Sequence, residues 1–259
     1  MSRFKLPLVL HIPHASTLIP SNYREHFCLS DEQLRLEKVK MTDWYTDDLF
    51  EVTPHKKVKT ICFPVSRLLV DPERFPDDKE EVMSQVGMGA VYTKTSDGSS
   101  LRDQNFASEE WREQLLNEYY YTHHSTFTGA VESTLETDSG VLIIDCHSFP
   151  NKPLPYELDQ SVERPEICIG TDEYHTSGEL TDCMVTSFRN LGYKVEVNAP
   201  FAGSIVPSKF YQTDRRVSSI MIEVNRSLYM DEITADKISS YNEHKTNISD
   251  VLSAVKQYV

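Results

Sequence analysis

Imidazole and carboxylate side chains follow the apolar runs of this sequence, at positions where they could bind a metal ion or exchange a proton. The apolar run that ends at Ile144 leads directly into Asp145 and His147. A second apolar run, near the N-terminus, is followed by His14, and Glu223 lies inside a third. A carboxylate in apolar surroundings is costly unless it is paired or used in chemistry. Two imidazoles and one carboxylate form a ligand set typical of catalytic zinc, which keeps a fourth position open for water.

The carboxylate ligand of such a zinc site has one preferred assignment and two alternatives. Asp43 stands at the entry of a helical segment, and we expect it to point inward. Asp47 follows within the same segment, where a negative charge complements the helix dipole, so its presence does not require a role as a metal ligand. His11 lies three residues before His14, but Pro13 separates them, so the pair does not share a face as two helical histidines would. We therefore favour Asp43 and interpret His11 as a buried, hydrogen-bonded histidine.

Two arginines occur on a short, turn-rich connection, and they have two possible roles. Arg67 and Arg74 can each offer a planar fork to a substrate carboxylate, which lysine does less well. Alternatively, Arg67 pairs with Asp71, and Arg74 pairs with Asp77 or Asp78, as surface ion pairs of little energetic consequence. The sequence leaves both possibilities open.

The elements that position these side chains alternate between strand and helix, which indicates a three-layer α/β fold. In such folds, ligands bind beyond the carboxyl ends of the strands, where His147 is expected; the simpler alternative is that His147 only closes a turn. We predict strands over residues 6–12, 57–65, 141–144, 167–170, 193–197 and 219–226, and helices that begin at Ser30 and cover residues 108–136, 177–191 and 231–259.

Composition places the chain among ordinary globular proteins and excludes several functions. Its 259 residues are 39% hydrophobic and 25% charged, which suits a single α/β domain spanning residues 1–259. The formal net charge of -14 argues against nucleic acids and anionic membranes as partners. Five scattered cysteines without a CxxC pair are typical of reduced thiols, and no N-terminal run has the length of a signal peptide. We therefore expect a cytoplasmic protein.

Short motifs in a fixed order extend from about Leu8 to Met230. They are His11-Ile12-Pro13-His14-Ala15-Ser16, Thr42-Asp43-Trp44, Ser66-Arg67 with Asp71-x-x-Arg74, Asp145-Cys146-His147-Ser148, Asn198-Ala199-Pro200-Phe201-Ala202-Gly203 and Ile222-Glu223. In this combination the sequence resembles the N-formylglutamate amidohydrolase family. Several motifs in order are far more specific than any one of them.

This resemblance implies a fold and a reaction. The fold would be an α/β/α sandwich with a mixed central sheet, of the phosphorylase/hydrolase-like, zinc-carboxypeptidase-like type. The reaction would be the metal-dependent hydrolysis of N-formyl-L-glutamate, or a related N-acyl amino acid, to formate and L-glutamate, a late step of histidine breakdown. The expected cofactor is a divalent metal, Zn²⁺, and the expected partner is a small molecule.

The resemblance also implies catalytic roles. His14, Asp43 and His147 would be the metal ligands, and Glu223 would be the general base. His124 falls where the family shows a Tyr-His pair on a long helix, and it is a further catalytic candidate.

A second group of residues is expected to bind the substrate. Arg67 and Arg74 would bind its carboxylates, Asn198 and Gly203 would shape the rim of the pocket, and Arg226 is a further candidate. The sequence departs from the carboxypeptidase pattern, because no glutamate follows three residues after the first histidine, and residues 72–78 differ from the Asp-Leu-Asn-Arg form of the deformylases. A carboxypeptidase-like peptidase and a non-catalytic binder of a small acidic ligand therefore remain as alternatives.

Overall fold

Six strands form one mixed sheet in the computed structural model, which describes residues 6–52, 57–103 and 108–255. The strands are β1 (Leu8–Ile12), β2 (Val58–Cys62), β3 (Val141–Phe149), β4 (Ile167–Gly170), β5 (Val195–Val197) and β6 (Val217–Asn225). Their order across the sheet is β2-β1-β3-β6-β4-β5. All neighbouring strands are parallel except β4 and β6, which are antiparallel.

Three of the described helices begin where the sequence supplies a capping side chain. Ser30 and Gln33 form a reciprocal capping box, and the hydroxyls of Ser108 and Ser177 each accept a backbone N–H of the helix that follows. The helices are α1 (Asp31–Met41), α2 (Thr46–Leu49), α3 (Glu109–Leu115), a π-helical turn (Leu116–Tyr120), α4 (Tyr121–Leu135), α5 (Gly178–Asn190) and α6 (Tyr241–Val255), with short 3₁₀ turns at Ser21–His26, Val82–Val86 and Arg226–Leu228.

Side-chain alternation along β1 and β3 divides the core between the two faces of the sheet. Leu10 and Ile144 pack into a cluster with residues of α5 and α6. Val9 and Ile143 point the other way and pack with Phe127 of α4. Helices therefore cover both faces, and the predicted three-layer α/β/α fold is confirmed. Within the described ranges, no helix has the length and apolarity needed to cross a membrane.

The prediction of a single helix over residues 231–259 was wrong in its first part. The Asp231 carboxylate accepts the backbone N–H of Ile233 at 2.7 Å, which forms a turn instead. Ile233 and Ile238 are 78% and 37% exposed. The helix begins at Tyr241, and its apolar residues Ile248, Leu252 and Val255 are buried. Residues 256–259 lie outside the described part.

β3 is longer than its apolar sequence indicated, and its additional residues carry Asp145 and His147 to positions beside β6. The prediction ended the strand at Ile144, whereas the structure continues it to Phe149, with every residue buried. The pairing of β3 with β1 stops at His11 opposite Asp145, but its pairing with β6 continues and sets His147 opposite Glu223. A space therefore opens beside β3 where β1 ends, and polar side chains surround it.

Candidate functional site

The two histidines expected to bind a metal lie side by side. His14 follows the end of β1, and His147 lies in the extension of β3. Their ring centroids are 5.2 Å apart, and the residues are 2% and 4% exposed. Both imidazoles can therefore contact one common atom.

Asp43 completes a first group of candidate metal ligands. Its Oδ2 lies 3.1 Å from His147 Nδ1 and 3.6 Å from His14 Nδ1. One ligand atom from each of the three residues lies within 4.8 Å of the other two. Asp43 is also engaged with the protein, because its Oδ1 accepts a hydrogen bond of 2.8 Å from Arg226. The alternative ligand Asp47 is exposed, and its carboxylate accepts the backbone N–H of Asp48 at 3.1 Å.

Glu73 is a second carboxylate at the imidazoles, and the sequence analysis missed it. Its Oε2 lies 3.2 Å from His147 Nε2 and 3.9 Å from His14 Nδ1, and its Oε1 lies 3.6 Å from His11 Nδ1. Glu73 also forms a second possible ligand group with His11 and Asp145. The available signal was the pair of acids, Asp71 and Glu73, directly after a buried apolar run.

Several buried polar atoms of the site have no hydrogen-bond partner. Among the described residues these include His14 Nδ1, His147 Nε2, Glu73 Oε1 and Glu223 Oε2. The carboxylates of Glu73 and Asp145 lie within ion-pair distance of His147 Nε2 but not in hydrogen-bonding geometry. Buried polar atoms are nearly always satisfied, so a cluster of exceptions indicates a place for a ligand. The chemistry of these atoms, imidazole nitrogens with carboxylate oxygens, fits a divalent metal such as zinc.

Charge pairing sets the protonation of the first ligand group. Burial opposes the charged form of His147, but the carboxylates of Glu73 and Asp145 outweigh it and raise its pKa well above the usual value. The pKa of His14 is also raised, because Asp71 and Asp43 outweigh burial and the nearby Arg67. The surrounding carboxylates therefore favour the protonated form of both imidazoles.

Glu223 has the opposite electrostatic character. It is 7% exposed, and one of its oxygens has no partner. Burial raises the pKa of the Glu223 carboxyl to about 8, against the lowering effect of His147. This combination of burial and a missing partner marks Glu223 as the carboxyl that is free to exchange a proton.

A row of buried residues extends from His147 to helix α4. Asp145 Oδ1 lies 3.1 Å from His147 Nε2 and 2.9 Å from His11 Nδ1, and His11 Nε2 lies 2.9 Å from His123 Nε2. Burial, together with the neighbouring histidines, lowers the pKa of His123 to about 2, so His123 is neutral at pH 7. His11 is thus a buried, hydrogen-bonded histidine, as the sequence indicated, although its partners are residues of the site.

The three candidate substrate-binding arginines differ in their partners. Arg67 donates to the carboxylate of Asp71 at 2.8 Å, which matches one of the two alternatives, but the pair is buried rather than superficial. Arg226 donates to Asp43 and to the side chain and carbonyl of Ser148. Arg74 forms no ion pair with any described residue, and its Nε is buried without a partner. Arg74 is therefore the arginine whose fork is free for a ligand.

Buried polar contacts fix the loop that carries these arginines. Asp71 Oδ1 lies 2.8 Å from His14 Nε2 and also accepts the backbone N–H of Glu73 at 2.9 Å. Arg102 donates to the carbonyl oxygens of Leu68 and Leu69, each at 2.7 Å. The loop is thereby attached both to the first histidine and to a buried cation.

A cavity of about 620 Å³ opens over the site. Its lining includes some of the remaining predicted site residues and leaves out others. Gly203 lines the cavity, as expected for a rim residue. His124 is not part of the lining; its ring N–H donates to the carbonyl of Pro72 at 2.8 Å, so it supports the loop before Glu73. Asn198 also lies outside the lining and is exposed, with its side chain bonded to Thr171. The expected direct roles of His124 and Asn198 therefore have no support in their positions.

Comparisons with known proteins agree on one family. The family model described as N-formylglutamate amidohydrolase matches residues 6–230. The N-formylglutamate deformylase of Pseudomonas aeruginosa is 25% identical over 238 residues, which cover 89% of this chain and 84% of that protein.

Solved structures show the same fold. The crystal structure of N-formylglutamate amidohydrolase from Ralstonia eutropha superposes with a TM-score of 0.83 at 21% identity, over 98% of this chain and 94% of the other. A gene product of Agrobacterium tumefaciens superposes with a TM-score of 0.67 at 19% identity, over the same shares of the two chains.

The raised pKa of Glu223 predicts how the stability of the metal-free protein depends on pH. The carboxyl titrates near 4.5 when unfolded and near 8 when folded, so the folded state binds more protons between these values. The contribution of this proton binding to the free energy of unfolding is fully present below about pH 4.5 and is lost as the pH rises to 8. Relative to wild type, Glu223→Gln should therefore gain roughly 3–5 kcal/mol in unfolding free energy across that window.

The measurement is urea unfolding of chelator-treated protein at a series of pH values, with wild type and variant compared at each. Glu196→Gln, which removes an exposed carboxyl from β5, serves as the control and should show no such trend. A difference between Glu223→Gln and wild type that does not change from pH 4.5 to 8 would contradict the raised pKa.

Proposed function

This chain belongs to the N-formylglutamate amidohydrolase family, and we propose that it hydrolyses N-formyl-L-glutamate to formate and L-glutamate with a bound divalent metal ion. The observation that carries the proposal is the convergence of unpartnered buried atoms on one cavity. His14 Nδ1, His147 Nε2 and Glu223 Oε2 are such atoms, and all three residues line it. They supply two metal ligands and a base.

The metal would be held by the two histidines and one carboxylate. When bound, an ion such as Zn²⁺ supplies a Lewis acid that polarises the amide carbonyl. Asp43 is the carboxylate that the sequence predicted, but its oxygens already accept from Arg226 and approach His147 Nδ1. Asp43 and Glu73 lie at similar distances from the unpartnered His14 Nδ1, 3.6 and 3.9 Å, but Glu73 is the one that lies 3.2 Å from the unpartnered His147 Nε2. This favours Glu73 as the third ligand and Asp43 as the residue that orients His147.

Glu223 would move the proton in this reaction. The oxygen of water bonds to the formyl carbon, the C–N bond breaks, and the nitrogen gains a proton. Glu223, buried opposite His147, would accept the proton from the attacking water and then deliver it to the leaving nitrogen. A carboxyl whose pKa is raised by burial can hold this proton between the two steps.

Arg74 would hold a carboxylate of the substrate. Its guanidinium lines the cavity, and no described residue forms an ion pair with it. A fork of this kind binds a carboxylate through two parallel hydrogen bonds. Because the chain carries a net charge of -14, a partly buried cation that lines the cavity is also what would offset the repulsion of an anionic substrate.

The proposed reaction predicts formate release by the zinc-loaded protein from N-formyl-L-glutamate. Chelation should abolish turnover, and added Zn²⁺ should restore it. Glu223→Gln should lower kcat by about 10²–10⁴-fold, because the base is lost, while the zinc content stays the same. Glu196→Gln, on the exposed part of β5, is the matched control. Absence of formate release from zinc-loaded wild type would refute the proposed function.

If Glu73 is the third metal ligand and Asp43 only orients His147, variants at these two positions should differ in their affinity for zinc. Glu73→Gln removes a direct ligand and should lower zinc affinity more than a hundredfold. Asp43→Asn removes an orienting partner and should lower it by about 10–100-fold. Competition with a chromogenic chelator and elemental analysis of the purified variants measure both. If Asp43→Asn loses the metal and Glu73→Gln keeps it, Asp43 is the ligand.

If Arg74 binds a carboxylate of the substrate, a substitution at this position should weaken substrate binding. Arg74→Lys keeps the charge but loses the fork, so KM for N-formyl-L-glutamate should rise by about tenfold or more with a smaller change in kcat. Arg216→Lys, at an exposed ion pair with Asp214, is the control. Equal kinetic constants for Arg74→Lys and wild type would exclude Arg74 from carboxylate binding.

A further inference from the structure

Two loops at the mouth of the cavity present large apolar side chains to solvent. Phe75 is 61% exposed and Leu158 is 85% exposed, and both line the cavity together with Met83 and Leu154. Single exposed apolar residues are common on protein surfaces, but several gathered around one cavity are typical of a ligand-binding surface. We call Phe75, Met83, Leu154 and Leu158 the apolar rim.

Buried carboxylates hold the backbone of both loops in place. Glu81 is 8% exposed and accepts the backbone N–H of Phe75 at 2.9 Å. Glu157 accepts the backbone N–H of Leu154 at 2.9 Å and forms a buried ion pair with Arg164. The backbone next to the exposed side chains is therefore held in place, so little backbone entropy is lost when a ligand covers them.

The cavity is larger than the smallest substrate of the proposed reaction requires. Its volume of about 620 Å³ lies in the range that holds drug-sized ligands. N-formyl-L-glutamate, with about a dozen non-hydrogen atoms, is smaller than such ligands. Space next to the apolar rim therefore remains for a further part of the substrate.

Charge determines which end of the substrate faces this space. Arg67, which is buried, and Arg74, which is partly buried, both line the cavity, and Asp159 lines it beside the exposed Leu158. The carboxylates of the proposed metal and base site also line the cavity, and Glu157 is paired with Arg164. A substrate carboxylate is therefore attracted to Arg74 and repelled from Asp159. The amino-acid half of the substrate belongs at Arg74, so the uncharged acyl half extends toward the apolar rim.

We propose that this protein hydrolyses N-acyl-L-glutamates with acyl chains longer and more apolar than formyl, and that Phe75 and Leu158 bind the acyl chain. The inference rests on the proposed function, because it uses the same base and metal ligands. The oxygen of water bonds to the acyl carbon, the C–N bond breaks, and the nitrogen takes up a proton. The products are a short fatty acid and L-glutamate.

The experiment compares kcat/KM of the zinc-loaded protein on N-formyl-, N-acetyl-, N-butanoyl- and N-hexanoyl-L-glutamate. Burial of each methylene against the rim should raise kcat/KM by about two- to fourfold, so hexanoyl should exceed formyl by well over tenfold. The double variant Phe75→Ser/Leu158→Ser should lower the hexanoyl-to-formyl ratio by roughly tenfold. Both side chains are exposed, so the substitutions cost little stability, which thermal unfolding checks.

Ile233→Ser is the matched control, because Ile233 is 78% exposed and lies outside the cavity lining. It should leave the ratio unchanged. Hydrolysis of the formyl compound without any gain along the series would overturn the acyl-chain proposal and leave the proposed function standing. A ratio that the double variant does not change would also overturn it. Failure to hydrolyse any member of the series would refute both proposals.

Discussion

Asp43 is the carboxylate on which the arrangement of the site depends. It is 1% exposed, and burial alone would raise its pKa, but His14, His147 and Arg226 hold that pKa well below its usual value. A buried ionised carboxylate is stable only with such partners, and removal of one leaves an unpaired charge. The carboxylate that contacts His147 Nδ1 is therefore held in place by an ion pair with Arg226, which lies 183 residues away along the chain.

Most of the fold could be predicted because its elements carry local signals. The buried strands are unbroken apolar runs, and the capping serines mark where α1, α3 and α5 begin. Two errors have physical causes. β3 continues to Phe149 because its polar residues find partners within the site. A prediction based on apolar runs ends the strand at the first polar residue. The helix expected from residue 231 begins only at Tyr241, because the carboxylate of Asp231 offers the backbone a competing turn.

The candidate site was predicted less completely, because its partners are distant in sequence. His14, His147 and Glu223 stood out as polar residues at apolar runs, and the structure brings them together. Glu73 lies in a loop, where no periodicity indicates which way a side chain points. The sequence likewise gave no means of deciding that Arg226 pairs with Asp43 while Arg74 stays unpaired, since an arginine's partner is fixed by tertiary contacts.

The loop from Arg67 to Arg74 couples the two halves of the proposed chemistry. Glu73 faces the imidazoles, and Arg74, the next residue, lines the cavity without an ion pair. Both depend on the backbone that Asp71 and Arg102 hold in place. A shift of this loop would therefore disturb the metal ligands and the carboxylate fork together, and substitutions within it are expected to be non-additive. Glu223 lies on β6, a separate strand, so the base can be changed without moving the loop.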